Sequence, residues 1–449
     1  MYRKAMEKLA AWKESRFRKP LILTGARQVG KTWLMKEFGR LYFEDVCYIN
    51  FENPGSVADI FGGTIVPSRI LELLGAYHGH KINPEKTLLV FDEVQEVPRA
   101  LTALKYFQEE APEYAICCAG SLLGVTLHAG TSFPVGKVDF ISIEPMSFEE
   151  FLLANGEEEL LSWTKEHYRE EMPAIFSEKY VDYLKKYFII GGMPTAVNAW
   201  IETKDFSVVS EEQRKLLFSY ENDFSKHAPE NVVPKIHHIW NSIPSQLAKE
   251  NKKFVYGLAR EGARAREYED ALLWLKDSGL IRKAGRVSGG RIPLKAYEDL
   301  KAFKIYYLDV GLLRISCEIE PDIILDEQAV FREFMGSLTE QFVLQELQTV
   351  QIAPGIYYWS ENSRSEVDFI FQYHNNIIPV EAKAGLSVHA QSLRVFCKKY
   401  EPKFAIRTSL RNYRVDDGLI NLPLYLLWNC KAVLDEEALH CYYSEGNVS

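Results

Sequence analysis

The sequence predicts an α/β protein of several domains, and three observations carry that reading. A short apolar run, LILTG (21–25), opens into a glycine-rich turn followed by a helical pattern. Further apolar runs of strand length at 47–53, 87–91, 114–121 and 138–146 complete a set that suits a buried parallel sheet. Helical periodicity then dominates for about a hundred residues before strand-like runs return near the C-terminus. The chain is 449 residues long, which at roughly 150 residues per domain means about three domains. The predicted order is a parallel-sheet domain over 1–150, a helical lid or linker over 151–245, a winged-helix-like domain over 246–322 and an α/β domain over 323–449.

Composition narrows the class. Hydrophobic residues make up 47% and charged residues 26%, an ordinary globular balance that excludes a mostly disordered chain. The 53 Lys and Arg against 62 Asp and Glu give a net charge of −9, which argues against a protein that coats nucleic acid broadly. That average conceals segments of opposite sign. Residues 1–40 carry 11 basic and 3 acidic side chains, 141–182 carry 3 and 11, and 249–304 carry 14 and 8. No run of 18 apolar residues is present, so no membrane span is expected. The basic N-terminus lacks the apolar core of a signal peptide. The seven cysteines are scattered, with no CxxC pair or zinc-ligand spacing, as expected of reduced thiols in a cytoplasmic protein.

The most specific signal lies in the first domain. Gly25-x4-Gly30-Lys31-Thr32 follows the LILTG strand and precedes a helix, the context in which this pattern grips phosphate. Glycines let backbone N–H groups curl around the anion at a helix N-terminus. Gly25, Ala26, Arg27, Gln28, Val29, Gly30, Lys31, Thr32 and Trp33 are therefore the predicted nucleotide-binding residues. Lys31 supplies charge to the β- and γ-phosphates, and the Thr32 hydroxyl is a Mg²⁺ ligand. The partner motif is TLLVFDEVQ, a buried strand ending in Asp92-Glu93. A carboxylate at the C-terminal end of such a strand faces the ligand crevice. Asp92 is thus expected at the metal, and Glu93 at the attacking water as the base. The strand 114–121 ends in Gly120-Ser121, where Ser121 is expected to sense the γ-phosphate, although Ser after Gly is also ordinary turn chemistry.

GARQVGKT, FDEVQ, the AGS strand end and FPVGKVDFISIEPMSFEEF together resemble the AAA-type ATPases of the archaeal-ATPase-like group. The resemblance continues through IIGGMPTAV (189–197), FKIYYLDVGLL (303–313) and VDFIF…IIPVEAKAG (367–385), and so covers nearly the whole chain. It implies ATP, rather than another nucleotide, with Mg²⁺. In many members the C-terminal half is a domain of unknown function. The sequence departs from the family at Lys137, where arginine is common after the glycine of the fPvG motif. Lysine keeps the charge but loses the bidentate fork. Arg27 and Arg99 are the other candidate charge stabilisers.

Downstream, residues 146–245 read as helices broken at Gly191-Gly192 and Pro194. From 246 the pattern becomes short helices and then a basic, glycine-rich hairpin, the layout of a winged helix. Arg264, Arg266, Arg282, Lys283, Arg286 and Arg291 carry its excess charge. Such a module contacts DNA or a protein partner, and both readings stand at this level. Finally, an amphipathic helix bearing Glu340 precedes three strands, two of which carry Asp368 and the Glu381-x-Lys383 pair. Residues two apart on a strand share a face, so Glu381 and Lys383 are expected to point together toward Asp368. Two carboxylates and a lysine on one platform suit metal-assisted phosphodiester hydrolysis. Glu340, Asp368, Glu381 and Lys383 together resemble the restriction-endonuclease-like pattern, a fold that also survives as a silent binding module. Two functions therefore compete: an ATP-driven nucleic-acid-processing protein, and a nucleotide-dependent switch that binds protein partners.

Overall fold

The computed structural model describes residues 1–52, 55–120, 134, 136–326, 332–361, 365–386 and 390–445. The chain forms two compact units, one of residues 1–144 with 277–280 and one of residues 145–276 with 281–449.

In the first unit, strands β1 (Leu21–Thr24), β2 (Asp45–Asn50), β3 (Thr87–Asp92), β4 (Ala115–Ala119) and β5 (Asp139–Ser142) form one sheet in the order β2-β3-β4-β1-β5. Every pairing is parallel. β1, β3 and β4 are buried at every position, as their unbroken apolar runs require when helices cover both faces. One face packs Ile22, Ile49, Leu89, Phe91 and Ile116 against Ile70, Leu74, Leu104 and Phe107 of the helices Pro67–His78 and Pro98–Glu110. On the other face the helix Lys31–Tyr42 approaches so closely at Gly39 that a Cβ there would lie 2.5 Å from Val46 Cγ2. β4 lies between β1 and β3. The turn after β1 and the acidic end of β3 therefore flank the end of β4, at the C-terminal edge of the sheet.

The second unit joins a helical layer to a mixed sheet. Its sheet contains β6 (Ile281–Val287), β7 (Glu298–Tyr307), β8 (Ile356–Glu361), β9 (Ser365–Tyr373), β10 (Asn376–Ala382), β11 (Ala405–Ser409), β12 (Arg414–Asp416) and β13 (Leu419–Pro423), in the order β12-β13-β11-β10-β9-β8-β6-β7. This differs from the expectation of separate domains at 246–322 and 323–449. The hairpin β6–β7 does not project as a wing: β6 pairs in parallel with β8, Gly285 opposite Tyr357 and Val287 opposite Trp359. The unpaired backbone edge of β6 is satisfied by a strand some 70 residues away. Periodicity along one segment carries no information about such a partner. The helix Gln391–Tyr400 closes one face, with Leu393 and Phe396 on Val287, Trp359, Val367 and Ile370.

The helices of 146–245 belong to this unit and are tied to it by a buried polar knot that joins the IIGGMPTAV and FKIYYLDVGLL stretches. Asp309, fully buried, caps the helix Val310–Ser316 by accepting from Gly311 N and Leu312 N. Its other oxygen accepts from Gly192 N at 2.6 Å and from Gln345 Nε2 at 3.0 Å. Gly191 has φ +73°, and a Cβ there would lie 2.0 Å from Asp309 Oδ1. IIGGMPTAV and the Asp of FKIYYLDVGLL are thus two halves of one contact.

Candidate nucleotide site and a carboxylate–lysine cluster

The loop after β1 is built by backbone geometry only some residues tolerate. Gly25 has φ +138°, and a Cβ there would lie 2.3 Å from Ile143 O. Gly30, at φ +93°, opens the helix Lys31–Tyr42, whose free N–H groups point back into the loop. Gln28 also has positive φ, while Ala26 and Val29 are buried anchors, Arg27 is half-buried, and Gln28 and Trp33 are exposed. Lys31 Nζ donates to Gly25 O at 2.9 Å and Ala26 O at 2.8 Å. Burial pushes its ammonium down to about 8, against the attraction of Glu93 and Asp92.

Thr32 and Asp92 meet, as their motifs imply: Thr32 Oγ1 donates to Asp92 Oδ2 at 2.7 Å. Tyr48, on the adjacent β2, donates to the same oxygen at 2.9 Å, while buried Asp92 Oδ1 has no hydrogen-bond partner. A hydroxyl and a carboxylate with one oxygen buried and unpartnered fit a hydrated divalent cation. Glu93 follows with φ +53°, its Oε2 accepting from Gln95 Nε2 at 2.6 Å. Ser121 lies outside the described residues.

Two participants escaped sequence reasoning. Tyr48 sits in an unremarkable strand and reaches Asp92 only because β2 pairs with β3. Arg3, buried before the first helix, donates to Val29 O at 2.9 Å and Glu144 O at 2.6 Å, bracing the loop from behind. Of the candidate charge stabilisers, Arg99 donates to Phe61 O and Gly63 O, and Lys137 pairs with Glu109 at 3.1 Å. Both are engaged locally.

The second cluster gathers in the other unit. Lys383 Nζ lies 2.7 Å from Glu381 Oε1, and Asp368 Oδ2 accepts from Ala382 N at 2.8 Å. Burial, reinforced by Glu340 and Glu381, raises the Asp368 carboxyl well above the ordinary range. Burial raises Glu381 too, against the pull of Lys383, and its Oε2 is buried without a partner. These buried carboxylates, both pushed toward their neutral forms, fit a cation. Glu340 faces the same cluster but is held by lysines. Burial opposes its ionisation, yet Lys304 and Lys252 hold its carboxyl below the usual range. Lys252 bonds to Glu340 Oε1, and Tyr306 OH donates to Oε2 at 3.1 Å.

Several charges of the basic hairpin are engaged within the unit. Arg282 is buried and donates to Leu308 O at 3.1 Å, Arg286 pairs with Asp299 at 2.6 Å, and Lys283 lies 4.5 Å over the Phe303 ring. Arg264, Arg266 and Arg291 are exposed. No described helix is long and apolar enough to cross a membrane.

The first unit is thus a parallel-sheet, P-loop nucleotide-binding domain. Residues 17–152 match the family described as AAA domain, which makes this stretch an AAA-type P-loop ATPase domain. Residues 181–322 and 335–427 match two domains of unknown function, DUF8612 and DUF4143. No curated protein matches the sequence. Among solved structures, the chain is similar to a Walker-type ATPase of Pyrococcus abyssi at 16% identity and TM-score 0.42, over 69% of this chain and 94% of that one. It is similar to the RuvB Holliday junction branch migration motor of Thermotoga maritima at 12% identity and TM-score 0.30, over 71% and 96%. The Aeropyrum pernix Orc1 protein in complex with DNA matches at 12% and 0.26, over 72% and 92%.

Proposed function

We propose that this protein hydrolyses ATP with Mg²⁺ and couples its nucleotide state to a DNA-associated, nuclease-like second unit. The observation that carries the ATPase reading is the Thr32–Asp92 contact beside Glu93, with Asp92 Oδ1 unpartnered and Lys31 a residue away. When bound, Mg²⁺ supplies charge neutralisation between the phosphates and the protein carboxylate. Thr32 and Asp92 hold it, the loop amides from Gly25 to Thr32 with Trp33 grip the phosphates, and Lys31 balances the developing charge. Glu93 orients the attacking water and takes its proton. Ser121 is the proposed γ-phosphate sensor.

The juxtaposition of Asp368, Glu381 and Lys383 supports a metal-dependent phosphodiesterase of restriction-endonuclease type in the second unit. A second reading has its own support: a switch that binds a protein partner, with this cluster silent. Glu340 is consumed by Lys252, Lys304 and Tyr306, Arg282 is buried, and Lys283 and Arg286 are engaged by Phe303 and Asp299.

Two assays separate these readings. Phosphate release should fall by about 10²–10⁴-fold in Glu93→Gln with ATP binding retained; unchanged turnover removes Glu93 from its role. Plasmid and oligonucleotides incubated with Mg²⁺ or Mn²⁺, with and without ATP, should be cut by the native protein and not by Lys383→Ala. Absence of cleavage, together with absence of salt-sensitive DNA binding, selects the protein-partner switch.

A further inference from the structure

At the edge of the first sheet opposite the nucleotide loop, three side chains that no part of the ATPase reading uses come together. Asp45 begins β2 and pairs in register with Thr87, which begins β3. Asp92 ends β3 five residues on, so the two edges are about 16 Å apart at the rise of a strand. His78 ends the helix Pro67–His78, and Gly79, at φ +83°, reverses the chain so that His80 returns beside it. The return is close: a Cβ on Gly75 would lie 3.2 Å from His80 O. One ligand atom each from Asp45, His78 and His80 all lie within 4.8 Å of one another.

We infer that Asp45, His78 and His80 form a binding site for a borderline divalent transition-metal ion such as Zn²⁺. Two imidazoles and a carboxylate are the donor set such ions prefer over hard cations. Ligands at about 2.0–2.2 Å around a tetrahedral ion sit about 3.4 Å apart. His78 Nε2 and Asp45 Oδ1 are already 3.0 Å apart, so His80 alone has to close in. His80 is exposed and follows a glycine, and its ring already meets that of His78 edge-on at 5.4 Å. The carboxylate is held in place as an outer partner would hold a ligand: Thr87 Oγ1 donates to Asp45 Oδ2 at 3.3 Å, and Asp45 N donates to Lys86 O at 3.1 Å. Binding replaces the His78–Asp45 hydrogen bond with two metal bonds, the neutral imidazole carrying its proton on the nitrogen that does not ligate. Three protein donors leave the fourth position to water, so the site joins the end of one helix to the starts of two strands without being closed.

The test uses the full chain, chelator-treated and free of nucleotide. Zn²⁺ is titrated by calorimetry, Co²⁺ is followed by its visible absorption, and melting is recorded with and without Zn²⁺. The native protein should bind one ion through this site, and its melting temperature should rise by about 5 °C at a hundredfold excess over Kd. His80→Ala, an exposed change that leaves the core intact, should weaken binding at least tenfold and abolish the rise, and Asp45→Asn should do the same. Asp92→Asn, which removes the carboxylate at the opposite edge, should leave the event unaltered. Absence of binding in the native protein, equal binding by His80→Ala, or loss of the event in Asp92→Asn overturns the assignment.

Discussion

The depressed Lys31 ammonium makes nucleotide affinity depend on pH in a window where ATP itself no longer titrates. Burial brings this group from an ordinary value of 10.5 down to about 8, and Glu93 and Asp92 recover only part of the loss. Below pH 8 the lysine is charged in both the folded and unfolded chain. The folded state then bears the full cost of a buried charge, about 3 kcal/mol from the 2.5-unit difference. As pH rises from 8 toward 10.5 the folded protein releases the proton first, so this group's contribution to stability improves with pH. Binding runs the other way, because a triphosphate recognises the charged form. At pH 9 about one molecule in eleven is still charged in the free protein, so apparent affinity should fall about tenfold from its value at pH 7, or about 1.4 kcal/mol. Calorimetric titration with ATP and Mg²⁺ at pH 7, 8 and 9 measures this directly. Lys31→Met should bind weakly with no pH trend across the same range. Native affinity that stays level from pH 7 to 9 would refute the argument, since it would mean that Lys31 is not desolvated in the loop.

Two further substitutions probe the second unit. Gly191→Ala places a Cβ 2.0 Å from Asp309 Oδ1 on a backbone with φ +73°, and should destabilise that unit by about 3 kcal/mol or more in denaturant unfolding. Glu340→Gln leaves Lys304, fully buried, short of one of its two carboxylates. It should cost about 3 kcal/mol of stability by the same measurement if the contact is structural. A stable Glu340→Gln that loses only DNA cleavage would instead place this carboxylate in the chemistry.

Local chemistry was legible wherever function is written in contiguous residues. The turn from Gly25 to Thr32 needs two glycines with positive φ and a lysine at a helix start, and each requirement is visible in the motif itself. Asp92 and Glu93 stand out in the sequence for the same reason, at the end of a strand that is buried at every position. The pair Glu381 and Lys383 followed from the alternation of a strand. What was not legible is whatever depends on which elements meet. Tyr48 reaches Asp92, Arg3 braces the loop, and Lys252 and Lys304 neutralise Glu340, each across dozens of residues that show no pattern.

The basic segment 249–304 shows the difference most plainly. Its charge excess is a property of composition, but whether those charges face solvent depends on packing. In the fold β6 becomes an interior strand and Arg282 is buried, while Arg286 pairs with Asp299 across the hairpin. By itself, then, the sequence determined the parallel-sheet ATPase domain, because backbone conformation and phosphate chemistry are local. The tertiary structure alone decided that the hairpin and the C-terminal strands share one sheet, because an open strand edge takes its hydrogen-bond partner from whatever the whole chain brings beside it.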